Sequence, residues 1–151
     1  MRNRADGFTL LELMIVLVVM AILVASAVAA YDFAVVKSRR SAAASCLTEA
    51  AQAMERRYTT CLAYNSAPNA AIPPVCAASN APPSCGNATQ LSRFYAAPSF
   101  FAGPAARTYT LQIVPVGPQL AKDKKCGTLR VDQAGTKSVT GTALAKPSEC
   151  F

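Results

Sequence analysis

Gly7-Phe8-Thr9-Leu10-Leu11-Glu12, followed by LMIVLVVMAILVASAVAAY through Tyr31, is the stretch that decides how this chain folds. From Leu13 to Ala30 nothing is charged. At about 1.5 Å per residue, a helix of that length spans a bilayer. One acid, Glu12, stands at its mouth. A carboxylate at mid-bilayer costs on the order of 2–3 kcal/mol, and less near the interface, so such a residue usually has a partner. A tolerated interfacial glutamate is the plainer alternative.

Working outward, a short basic leader carrying Arg2 and Arg4 precedes the run. Ala25-Ser26-Ala27 and Ala27-Val28-Ala29 have the small-x-small form of a secretory cleavage site, which keeps an ordinary signal peptide in view. Against it, the apolar core is long and helical sequence continues through the supposed cut. The leader favours a cytoplasmic amino terminus, but Lys37, Arg39 and Arg40 lie just beyond the other end, so charge counting leaves orientation open. On the carboxy-terminal side Ala43, Leu47, Ala50, Met54 and Tyr58 recur at helical spacing. The charges at Arg39, Arg40, Glu49, Glu55 and Arg56 mostly occupy other faces. No proline or glycine interrupts residues 8–67, so one helix of about 50 residues and about 75 Å is expected, its second half forming the spine of a small domain.

From Asn65 to Pro83 the composition turns to Ala, Pro, Asn and Ser, a stiffened loop. Strand patterns follow. Thr108–Ile113 alternates with Tyr109, Leu111 and Ile113 on one face, Thr128–Asp132 repeats the pattern, and Gln133-Ala134-Gly135 turns toward Ser138–Thr140. Phe94–Phe101 offers another strand, which Pro98 restricts to an edge or a bulge. A helix packed on a small antiparallel sheet, an α+β fold, is the economical arrangement.

The six cysteines contain no C-x-x-C pair and the chain has no histidine, so a zinc site is not expected. An even count in a small domain behind an export-type leader favours three disulfides in an oxidising periplasm. That choice also orients the chain, with its carboxy-terminal domain periplasmic. No catalytic constellation is legible, and neither enzyme activity, a cofactor nor a metal is expected.

Gly7-Phe8-Thr9-Leu10-Leu11-Glu12 before an apolar run resembles the type IV pilin and pseudopilin signature. The resemblance implies a type IV pilin fold and cleavage by prepilin peptidase between Gly7 and Phe8. It also implies N-methylation of Phe8 and an assembly role for Glu12. A new amine on Phe8 and Glu12 of a neighbouring subunit would neutralise each other in a low-dielectric fibre core. Many members carry a proline where this chain has Ala29, so no obligatory helix break is expected here. The expected organisation is a leader (1–7), a transmembrane or fibre-core helix (8–31), its periplasmic half (32–64), a Pro-rich loop (65–90), then the sheet and a disulfide-bounded carboxy-terminal region (91–151).

Cys46 and Cys61 lie about 20 Å apart along such a helix, beyond disulfide reach. For the first four cysteines, either Cys46–Cys85 with Cys61–Cys76, or Cys46–Cys76 with Cys61–Cys85, remains; the nested first pairing is preferred. Cys126–Cys150 would enclose the last strands and tail, resembling the disulfide-bounded carboxy-terminal loop of type IV pilins. Pseudopilins of type II secretion share the leader but commonly lack that bridge and often carry an acidic calcium loop. Here Ala121–Leu129 is basic. The stretch from Thr108 to the terminal cysteine, with Cys46–Ala50 and Met54–Tyr58, looks most like PilE-type minor pilins.

Partners implied by the resemblance are prepilin peptidase, other pilin subunits in a helical fibre, the inner-membrane assembly platform and membrane lipid. The subunit would be held in the inner membrane before assembly and stand in a cell-surface pilus after it, serving motility, adhesion or DNA uptake. Removing residues 1–7 takes two cations and one acid from a chain of net charge +7, leaving +6. Lys122, Lys124 and Lys125, with Arg130 and Lys137 near in sequence, offer a basic patch for DNA phosphates. A solvated basic surface, or one facing an acidic neighbouring subunit, is the plainer alternative.

Overall fold

The computed structural model describes residues 8–65, 76 and 81–151. The leader with Gly7, and residues 66–75 and 77–80 of the Pro-rich loop, lie outside the described residues. The chain divides into two compact units, residues 1–35 and 36–151. One helix, α1, spans Leu10–Cys61 and contributes to both.

In the first unit α1 is apolar and exposed, from Leu10 through Val28 to Tyr31 and Phe33, and it is long and apolar enough to cross a membrane. Its start is set locally. Thr9 Oγ1 accepts the Glu12 backbone N–H at 3.1 Å, which satisfies one of the donors a helix leaves free at its amino end. Thr9-Leu10-Leu11-Glu12 has the spacing of a capping box, and an acid in the first turn suits the helix dipole.

In the second unit the expected stripe is the core face of α1: Ala43, Leu47 and Ala50 are fully buried and Met54 nearly so. They share one apolar cluster with Leu111, Ile113, Leu129, Val131 and Val139. Those residues belong to a four-stranded antiparallel sheet of β1 (Ser99–Ala102), β2 (Thr110–Ile113), β3 (Leu129–Asp132) and β4 (Lys137–Val139), in that spatial order. Leu111 faces Val131, and Ile113 faces Leu129, which in turn faces Val139. Alternation therefore puts one apolar row on the core side of each strand. Tyr109, just before β2, is buried with them.

The strands are shorter than their sequence patterns. Within Phe94–Phe101 only the end is β1, because Pro98 has no amide to donate to a ladder; Tyr95 makes a lone bridge to Pro115. A bulge between Phe100 and Ala102 interrupts the β1–β2 register, and Phe101 stays 57 % exposed. Two short helices not expected from sequence, α2 (Ala88–Leu91) and α3 (Gly117–Lys122), flank the sheet connections. A 3-10 turn at Pro147–Cys150 ends the fold.

Helix α1 stops at Cys61, ahead of the expected boundary at residue 64. Leu62 adopts a left-handed φ of 56° and donates its N–H to the Tyr58 carbonyl at 2.8 Å. That is an αL cap built with a residue poorly suited to it.

A second correction concerns Arg40. It is one of the charges expected off the apolar stripe, yet it is only 7 % exposed. A carboxylate from the far side of the sequence, Asp123, reaches it and makes its burial tolerable. Arg39 is likewise occupied, its guanidinium 3.6 Å from the centre of the Phe94 ring.

Candidate functional site: an apolar helix start and a clamped basic loop

The Cys126 loop is built from α3 onward. Gly117 enters α3 with φ 52° and Pro118 follows at its first turn, where a missing amide costs nothing. Gln119 and Asp123 are one helical turn apart, so both point inward. Asp123 closes the helix by donating its N–H to Gln119 O at 2.8 Å. Its carboxylate is fully buried and takes a two-pronged contact from Arg40: Nε to Oδ2 and Nη2 to Oδ1, each 2.8 Å. Fork-to-carboxylate pairing of this kind fixes orientation as well as charge.

The rest of the network completes that carboxylate. Tyr95 OH donates to Oδ2 at 3.2 Å and the Cys126 amide donates to Oδ1 at 3.3 Å. Gln119 Nε2 donates to Oδ2, to Tyr95 Oη and to the Val36 carbonyl of α1. Burial, followed by the Asp123 charge, pushes the Tyr95 phenol well above its ordinary range. Val36 and Arg40 on α1, Tyr95, and Gln119 and Asp123 around α3 thus form one polar knot.

The outer side of the loop is tied just as closely. Its carbonyls at Lys124, Lys125 and Cys126 accept the amides of Thr142, Ala143 and Gly141 at 3.2, 2.9 and 3.0 Å. Gly141 is required at this approach, because a Cβ there would overlap the Lys125 carbonyl. Cys126–Cys150 lies alongside with its Cα atoms 5.7 Å apart, and Lys125 Nζ meets Glu149 Oε2 at 2.7 Å one residue before each cysteine. That contact holds the Glu149 carboxyl below its ordinary value.

Lys122 and Lys124 are exposed on the outside of this loop, with Asp123 between them turned inward. Lys125 is also exposed, but its ammonium is engaged by Glu149. Arg130 and Lys137 do not both join them on one face. Arg130 pairs with Ser138 and Lys137 with Val131, so their side chains leave opposite faces of the sheet. Arg130 lies 3.6 Å over the Phe101 ring and donates to Gln112 Oε1, whereas Lys137 lies 4.8 Å from the Phe151 ring centre.

The other two disulfides join Cys46 to Cys85 and Cys61 to Cys76, with Cα separations of 5.1 and 5.7 Å. Near the end of α1, Glu55 accepts the hydroxyls of Tyr64 and Tyr109, whose rings meet edge-on while Tyr58 stacks on Tyr64. Burial, then the Glu55 contact, raises the Tyr64 pKa from its ordinary 10 to about 12 and pushes Tyr109 up as well. At the amino end Phe8 is exposed and Glu12 is exposed in the first turn of α1. Among the described residues no ion pair includes Glu12.

An apolar amino-terminal helix that continues as the spine of a disulfide-stapled α+β domain defines the class of type IV pilins. The chain belongs to the family described as type IV minor pilin ComP, DNA uptake sequence receptor, whose model matches residues 29–130. The prokaryotic N-terminal methylation motif matches residues 2–28. Among solved structures, a type IV pilin from Shewanella oneidensis is 22 % identical, with a TM-score of 0.48, covering 77 % of this chain and 97 % of that one. No curated protein matches the sequence. The chain is therefore a type IV minor pilin, a subunit processed by prepilin peptidase and assembled with other pilins.

Proposed function

We propose that this minor pilin brings a DNA-contacting loop to the pilus for uptake, with Lys122, Lys124 and Lys125 meeting the phosphate backbone. The observation that carries the reading is the inward turn of Asp123, which leaves the lysines as the residues of 122–125 that face outward, Lys125 beside Glu149. Family membership supports it, because the family is described as a receptor for DNA uptake sequences. Phosphate contacts position a protein on DNA without reading sequence, so these lysines supply affinity rather than choice of site.

Assembly follows from the other end of the chain. The peptidase cuts between Gly7 and Phe8 and methylates Phe8, and Glu12 pairs with the Phe8 amine of a neighbouring subunit. Before assembly the helix crosses the inner membrane once, in contact with lipid and the assembly platform, with the stapled domain in the periplasm.

Full-length mature protein in detergent should bind duplex DNA, and affinity should fall steeply with salt. Charge reversal at Lys122 and Lys124 should weaken binding at least about tenfold at moderate salt and flatten the salt slope by about two. Binding unchanged by those reversals would move the contact elsewhere on the domain.

A further inference from the structure

We infer that Arg40 and Asp123 are positioning residues for DNA contact: their buried ion pair holds the Lys122–Lys125 loop in its binding geometry and keeps its one acid away from the phosphates. This rests on the DNA-contact reading above. Lys122 and Lys124 flank Asp123 in sequence, and an acid displayed between them would offset much of their field within a screening length. Here the carboxylate is fully buried on the opposite side and answered by a guanidinium 83 residues away. Arg40 itself is 7 % exposed and spends its fork on Asp123, so it contributes to DNA contact only through the loop.

The geometry also explains why a salt bridge stands where apolar packing would serve stability as well or better. Both oxygens of Asp123 are used, Oδ2 by the side chains of Arg40, Tyr95 and Gln119, and Oδ1 by Arg40 and a backbone amide. Oδ1 holds the Cys126 amide while Arg40 fixes the carboxylate from α1. With Thr142, Ala143 and Gly141 holding the carbonyls from outside, the segment is tied on both sides. A loop set in advance pays less ordering entropy when it meets the phosphate backbone.

The test uses full-length mature protein in detergent, a fluorescent duplex and a salt titration, well below the unfolding temperature of each variant. The double variant Arg40→Gln with Asp123→Asn leaves net charge unchanged, so a pure net-charge effect predicts wild-type affinity. Positioning predicts binding weaker by about fivefold to tenfold and a salt slope flatter by about one. Asp123→Asn alone adds one positive unit; net charge predicts tighter binding and positioning predicts weaker. Should these variants fail to fold, Arg40→Lys keeps the charge without the fork and should lose at least about threefold. Wild-type binding that persists unchanged in the folded variants overturns the positioning role and leaves the DNA reading standing. Absence of salt-sensitive binding by the wild type overturns that reading and this role together.

Discussion

Two acids in expensive places divide the molecule. Glu12 stands in the first turn of an apolar, exposed helix, and among the described residues no ion pair includes it. Asp123 is fully buried in the stapled domain and is answered on the spot by Arg40, Tyr95, Gln119 and the Cys126 amide. The domain satisfies its costly charge from within the chain. The helix carries a charge whose proposed answer is another subunit, and that proposal is what would set this chain apart from a domain with a plain membrane anchor.

The largest expected effect breaks the internal half of that comparison. Asp123→Ala strands the Arg40 charge and should cost about 3–5 kcal/mol, read as a lower denaturant midpoint of the full chain. Glu12→Ala should leave the unfolding free energy within about 0.5 kcal/mol of wild type while reducing the protein recovered in purified pili. A large loss of stability with Glu12→Ala, or none with Asp123→Ala, would erase the distinction between the two acids.

Smaller in scale is the alkaline response of the domain. The folded state holds the phenolic protons of Tyr64, Tyr95 and Tyr109 more tightly than the unfolded chain, because burial raises all three. Their contribution is complete below the ordinary tyrosine pKa of 10 and is lost as pH rises through the folded values, about 12 for Tyr64. Denaturant midpoints should therefore fall as pH is raised above about 10, and Tyr64→Phe should make that fall shallower. A flat profile over that range would contradict the buried phenols.

The smallest effect lies where α1 ends. Leu62 is 77 % exposed and held at positive φ, so Leu62→Gly should raise stability by about 0.5 kcal/mol, with only a small shift in the thermal midpoint. A loss instead would mean that the Leu62 side chain is used by the domain.

What the sequence reveals and what it hides follows from range. Ala43, Leu47, Ala50 and Met54 read as one face because helical periodicity is local, and Tyr109, Leu111 and Ile113 because strand alternation is local. Thr9-Leu10-Leu11-Glu12 was equally local, yet as a capping box it stood hidden behind the apolar run that follows. Arg40 reads only as a charge off the apolar stripe, and Asp123 as one acid among lysines. Their pairing spans 83 positions, and no short-range pattern encodes it. One signal was available: Gln119 and Asp123 lie one helical turn apart behind Gly117-Pro118. Arg130 and Lys137 cannot both extend the lysine patch, since adjacent strands place them on opposite faces. For the cysteines, helix rise excluded Cys46–Cys61 but did not choose between the two pairings left; the close approach of Cys46 to Cys85 does.

The central claim is that the exposed helix is completed outside the chain by a processed neighbour, while the domain is closed by its own bridges. Intact-mass measurement of the protein isolated from membranes or pili tests both at once. The account predicts a chain beginning at Phe8, heavier by a single methyl group and lighter by the six hydrogens of three disulfides. A chain that retains residues 1–7, or one that begins near Tyr31, would contradict it.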